Sequence, residues 1–160
     1  LRSQAETQGL TPLGTSLGIC WLNGNRFHFA NIGDTRIYQM RNGELQCLTK
    51  DHSRREFAER GDLPAPPKPD RLAQAFLFGQ SYPERNTSLQ LDLGLDVNSM
   101  RTIEGDRFLI ASRGLYKHVS SEQMLKALHG NLEHAANYLY QKAYQKEGEE
   151  EICAVVIGVD

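Results

Sequence analysis

GTSLGICWLNGNRFHFANIGDTRIYQMRNGELQCL, residues 14–48, decides the fold class of this chain. Apolar runs alternate in it with glycine-containing pairs. Asn23-Gly24 and Asn42-Gly43 each stand between two such runs. Both residue types tolerate the positive φ of a type I′ turn, so each pair predicts a tight β-hairpin. The strands expected are 14–22, 26–32, 35–40 and 44–48, interrupted once more at Gly33-Asp34. Because side chains alternate along a strand, Phe27 and Phe29 fall on one face and His28 and Ala30 on the other. The pattern is an antiparallel meander, not a run of parallel βαβ units.

Downstream, residues 53–60 read as a short helix with Ser53 as its cap. Residues 61–70 carry four prolines in ten positions and predict an irregular loop or flap. Residues 71–79 read as a second short helix closed by Gly79, and 87–93 alternate like a half-solvated strand. The segment 106–112 is a buried strand that breaks at Ser112-Arg113-Gly114. Ser120 and Gln123 form a capping box ahead of a helix over 120–128, which Gly130 ends. Residues 131–146 place Leu132, Ala135, Ala136, Leu139 and Ala143 on one helical stripe. The last run, 151–159, is apolar on both faces and predicts a central strand. Together these elements predict an α+β fold: antiparallel sheets flanked by helices, in one domain over residues 1–160.

Composition narrows the function classes. A formal net charge of -2, with 24% charged residues, gives no basic footprint for nucleic acid or an anionic membrane. No apolar run approaches the roughly 18 residues of a membrane span, and the opening residues lack a signal-peptide layout. They read as the tail of a helix, as if the chain begins partway through a domain. The cysteines, Cys20, Cys47 and Cys153, lie in strand-like segments without a C-x-x-C pair, where they are expected as small buried hydrophobes in a reducing cytoplasm. The histidines at 28, 52, 118, 129 and 134 make no zinc-binding spacing.

Several segments, in order, resemble the metal-dependent type 2C protein phosphatases, the PPM family. They are GTS (14–16), NIGDTRIY (31–38), LTKDHS (48–53), GDRFLIASRGLYKHVSSEQ (105–123) and EEEICAVVIGV (149–159). The resemblance spans nearly the whole chain. It implies a sandwich of two antiparallel sheets flanked by helices. It also implies two manganese or magnesium ions held by aspartates, with a metal-bound hydroxide attacking a phosphoserine or phosphothreonine. Two cations suit that reaction because hydroxide must approach a phosphate dianion, and hard oxygen donors suit those ions.

Carried over residue by residue, the family's metal positions are degenerate. The Asp-Gly-x-Gly-Gly loop is not present in this sequence. The Ser-Asp-Gly aspartate falls on Arg113, and the terminal Asp-Asn aspartate on Glu150. Asp34 alone is retained, at the position that in many members helps hold an accessory ion. Arginine cannot lose its proton or ligate a cation. At an effective dielectric near 20, a unit cation about 4 Å from it is repelled by roughly 4 kcal/mol. The expectation is therefore a pseudophosphatase with no metal cofactor and no catalytic residue, acting as a binding or regulatory module. The alternative is the C-terminal part of an active manganese- or magnesium-dependent phosphatase.

Each candidate residue has a plainer reading beside it. Asp34 is a turn residue, a metal ligand, or a partner of Arg113, whose fixed charge would replace the missing ion and pair with Glu150 as well. Glu150 is a metal ligand or one member of a solvated acidic run. Arg36 faces a phosphoryl group or makes an internal ion pair. Asp51-His52 reads as structural before it reads as an acid–base pair. Ser112 at a strand end is set against a nucleophile elbow, because Ile110 stands where that motif needs glycine. Tyr138, Tyr140 and Tyr144 read as packing or rim residues. The expected partner is a protein: a kinase, a phosphoprotein, a missing N-terminal segment or a second copy, since unpaired sheet edges associate.

Overall fold

The computed structural model describes residues 13–53, 76–78, 96–146 and 150–160. In chain order the strands are β1 (Leu13–Thr15), β2 (Leu17–Asn23), β3 (Arg26–Ile32), β4 (Arg36–Arg41), β5 (Glu44–Cys47), β6 (Phe76–Phe78), β7 (Asp96–Arg101) and β8 (Arg107–Ala111). Three helices follow, α1 (Arg113–Tyr116), α2 (Ser121–His129) and α3 (Leu132–Tyr144), and then strand β9 (Ala154–Gly158). All strand pairs are antiparallel: β2-β3-β7 form one sheet, β5-β4-β8-β9 a second, and β1 pairs with β6. The α+β architecture expected from the hairpin signals is the one observed.

The second sheet is covered on both faces, which is why its inner strands read as continuous apolar runs. On one face Phe108, Ile110 and Ile37 meet Phe27 and Phe29 of the other sheet. Phe27 and Phe108 are fully buried and stack with ring centroids 3.8 Å apart. Burying each such ring contributes about 1.5–3 kcal/mol, so this stack fixes how the sheets face each other. On the opposite face Leu109, Ala111 and Tyr38 pack under α2 and α3 through Met124, Leu128 and Leu139. The capping box is present, with Gln123 N–H donating to Ser120 Oγ and Ser120 N–H to Gln123 Oε1.

Several boundaries differ from expectation. The run 14–22 is two strands, broken at Ser16, where the chain changes partner from β6 to β3 and the Ser16 hydroxyl bonds to Asp34. In the first hairpin Asn23 pairs with Arg26, so the turn is Gly24-Asn25; Gly24 takes φ +55° and Asn25 stays at negative φ. That places glycine first, as a type II′ turn requires, whereas Asn42 (φ 52°) and Gly43 (φ 79°) make the expected type I′ turn. Phe76–Phe78 is a strand against β1, not part of a helix, because a short apolar run has no periodicity of its own and pairing decides it. Strand β7 was not expected: only Met100 of it packs into the core while Val97 is exposed, so its pattern is faint. β9 ends the four-strand order among the described residues instead of lying centrally, and Val155 is half exposed. Cys47 and Cys153 are exposed free thiols, not buried ones. The helix expected after Ser53, the flap at 61–70, residues 71–75 of the second helix and the strand at 87–93 lie outside the described residues.

Candidate functional site

Register brings the chemistry to one end of the second sheet. Arg36 opposes Ala111, and Ala111 opposes Ala154, so β4 starts where β8 ends and β9 starts. Asp34 just precedes β4, Arg113 opens the turn after β8, and Glu150 lies just ahead of β9. Segments far apart in sequence therefore place two carboxylates and a guanidinium together.

Asp34 is held from below by Ser16. The Ser16 hydroxyl donates to Asp34 Oδ1 at 2.6 Å, and the Asp34 N–H donates back to Ser16 Oγ at 3.1 Å. Gly33 permits this closeness: it sits at φ +88°, and a Cβ there would collide with the Ser16 side chain. The carboxylate thus bonds across the sheet to a serine, not to the amides of its own turn as the plainer reading had it.

Arg113 sits between the carboxylates. Its Nη1 lies 3.7 Å from Asp34 Oδ2 and its Nε 3.6 Å from Glu150 Oε1. These are ion pairs at charge-contact distance, beyond hydrogen-bond length. Lys117, one helical turn on, donates to the same Glu150 oxygen at 2.9 Å. That bond holds the Glu150 carboxyl below its ordinary value against the opposing effect of partial burial, with the charges of Lys117, Arg113 and His118 helping. Glu150 Oε2 is buried without a hydrogen-bond partner among the described residues.

The backbone makes the approach possible. The Ser112 hydroxyl donates to the Glu151 carbonyl at 2.9 Å and accepts from the Cys153 N–H at 2.8 Å. It is a splice between β8 and the chain entering β9, which occupies both sides of the oxygen. Gly114 packs so close to this chain that a Cβ would stand 2.6 Å from the Glu151 carbonyl oxygen.

Beside this group, Arg36 is engaged by protein. Its Nε and Nη2 donate to the two oxygens of Asp51 at 2.9 and 2.8 Å, and its guanidinium lies over the Tyr116 ring, 3.9 Å from the centroid. The Asp51 bonds raise the guanidinium's pKa further. Burial, with the negative charges of Asp51 and Asp34, pushes the Tyr116 phenol upward. The fork proposed for a phosphoryl group is filled by a carboxylate. Asp51 and His52 diverge: His52 is buried, accepts from the Gly33 N–H through Nδ1 at 3.3 Å, and so presents Nε2–H to Asp96 at 3.1 Å. Sequence reasoning brought Asp34, Arg113 and Glu150 together but missed Ser16, Lys117, Tyr116 and Asp96. Lys117 carries a signal in hindsight, since it stands four residues after Arg113 on the same helical face.

Among the described residues, Asp34 and Glu150 stand where the resemblance puts ligands for manganese or magnesium, and these two as they are held do not fit such an ion. A hard dication takes oxygen ligands at about 2.0–2.6 Å. Asp34 Oδ2 and Glu150 Oε1 lie 3.7 and 3.6 Å from guanidinium nitrogens and Asp34 Oδ1 accepts from Ser16, which leaves Glu150 Oε2 as a lone donor. Among the described residues no group of three or more His, Cys, Asp or Glu side chains is placed to hold a metal ion.

No family model matches the chain. The serine/threonine protein phosphatase PstP of Mycobacterium tuberculosis is 30% identical over an alignment of 166 positions, which takes in 99% of this chain and 30% of PstP. The protein phosphatase PhpP of Streptococcus pneumoniae is 30% identical over 120, covering 74% of this chain and 46% of PhpP. The chain thus spans half or less of these relatives. The crystal structure of M. tuberculosis PstP superposes with a TM-score of 0.73 at 27% identity, covering 97% of this chain and 64% of that one. The PstP catalytic domain solved with 2 manganese ions superposes at 0.68, with 25% identity. The phosphatase of S. agalactiae superposes at 0.74 with 24% identity over 99% of this chain.

Proposed function

The chain is a domain of the PPM, or type 2C, serine/threonine phosphatase family, and from that premise we propose that it acts as a binding or regulatory module without metal-dependent turnover. The observation that supports this reading is Arg113, lodged between Asp34 and Glu150 at 3.7 and 3.6 Å. Phosphoryl transfer to water needs positive charge over the phosphate dianion and an ion that lowers the pKa of the attacking water. Here the positive charge is a guanidinium already balanced by protein carboxylates. It supplies no activated water. The module reading assigns the domain a protein partner, a kinase or a phosphorylated segment, in the cytoplasm. Among the described residues no helix is long and apolar enough to cross a membrane.

A second reading, the C-terminal part of an active phosphatase, draws support from the likeness to PstP, which binds 2 manganese ions, and from the partial span of the relatives. In that reading Arg113, half exposed, swings clear and other carboxylates complete the site. Calorimetric titration of manganese into the protein, followed by hydrolysis of a phosphothreonine peptide in the same buffer, separates the two. The module reading expects no micromolar binding and no manganese-dependent turnover. Turnover that requires manganese would overturn it.

A further inference from the structure

We infer that Arg113 is a built-in counter-cation. It clamps the turn at Gly33-Asp34 to the chain entering β9 with a covalently attached charge, so that this end of the sheet holds together without a divalent ion. The inference rests on the module reading and goes further, giving Arg113 a positive structural task.

Charge balance carries the argument. Asp34 and Glu150 contribute two negative charges to one site, and Arg113 and Lys117 two positive. Among the described residues Lys117 reaches only Glu150. Arg113 faces both carboxylates, and among the described residues it is the one cation paired with Asp34. Asp34 cannot escape into solvent: its side chain is 14% exposed, and Ser16 fixes it through two hydrogen bonds. Glu150 is held in turn by Lys117, and the neighbouring carbonyl of Glu151 by Ser112. Removing Arg113 leaves both carboxylates in place with one cation, Lys117 on Glu150, a net charge of -1, and Asp34 uncompensated. Like charges so confined repel, and a cation is the remedy. Exposed ion pairs count for little singly, and Arg113 is 51% exposed. The expected effect therefore comes mainly from the carboxylates left unbalanced and is modest.

The test is the melting temperature of the full protein carrying Arg113→Ala, Arg113→Lys or Arg113→Asp, with and without manganese chloride. Arg113→Ala should lower it by about 2–4 °C, and Arg113→Lys should recover most of the loss because the charge is retained. Arg113→Asp should fall furthest without metal, and manganese should raise it, while the unaltered protein does not respond. Should Arg113→Asp be unfolded in metal-free buffer, refolding on addition of manganese counts for the inference and failure to refold counts against it. An unchanged melting temperature for Arg113→Ala overturns the clamp. So does a folded Arg113→Asp that ignores manganese, or an unaltered protein that manganese stabilises equally. Peptide hydrolysis by the unaltered protein would instead strike the module reading, so the two failures are told apart by different measurements.

Discussion

Two ion-paired groups lie near the two ends of β4, and they are built differently. At its far end Arg41 donates through Nε and Nη2 to both oxygens of Asp106, at 2.7 and 2.6 Å, and through Nη2 to the Arg101 carbonyl at 2.9 Å. The Asp106 side chain is fully buried and also accepts from the Ile103 N–H at 3.0 Å. At the near end, past Arg36, Arg113 meets Asp34 and Glu150 only at 3.7 and 3.6 Å and is half in water. The same residue types therefore do two kinds of work. The far pair is a staple whose direction and hydrogen bonds matter. The near group is a balance of point charges whose sign matters more than its geometry.

The most direct way to break the comparison is at the staple. Asp106→Asn keeps the shape but leaves Arg41 facing a buried amide that cannot take both donors. Asp106 is fully buried but a third of the Arg41 side chain is exposed, so the expected loss is about 3 kcal/mol, the low end for a buried pair, read as a fall in the urea midpoint. A loss no greater than that of Arg113→Ala would show that the two ends do not differ as their geometry says. Arg36→Ala comes next. It removes a two-pronged bond to Asp51 and the cation lying on Tyr116. The expected loss is about 1.5–3 kcal/mol, since hydrogen bonds to charged groups are worth that much. If Arg36 instead served mainly to meet a phosphoryl group, stability would hardly move while phosphopeptide binding fell.

How much of this was legible follows from the kind of signal involved. The meander was readable because Asn-Gly pairs and alternating phenylalanines are local features, and Phe27 and Phe29 share one face as expected, the buried one. The capping box at Ser120 was equally local. Strand β7 was hidden because only one of its side chains needed to be apolar for the core, and Phe76–Phe78 because a three-residue apolar run is silent on whether it pairs or coils. At the site, the meeting of Asp34, Arg113 and Glu150 was legible from the positions a metal would link in the resembled family. Ser16 and Lys117 were not, since their roles arise from side-chain reach across strands, which spacing along the chain does not encode. The Arg36–Asp51 pair was named as an ion pair only in kind; the partner came from the path of the chain after β5, which brings Asp51 back to Arg36.

The finest test of the contrast is acid. Asp106 is subject to opposing effects: burial pushes its carboxyl up, but the Arg41 fork and the Ile103 N–H outweigh this and hold it below its ordinary value. Glu150 is also lowered, chiefly by Lys117. A carboxylate with a depressed folded pKa adds stability above its unfolded pKa, near about 4, and loses it as pH falls through the folded value, because the unfolded chain takes up protons first. Both groups should therefore contribute to loss of stability below about pH 4, and removing either should flatten that slope. The flattening for Glu150→Gln should correspond to less than about 1 kcal/mol, as for an exposed pair, and should disappear in high salt, where the Debye length drops to about 3 Å at 1 M. The slope due to Asp106 should survive the salt, because its partner hydrogen-bonds it in a buried site. Urea melts from pH 6 to pH 2 at two salt concentrations measure both. Equal salt sensitivity in the two variants would mean that the near end is stapled like the far one, and that Arg113 acts through direction as well as through charge.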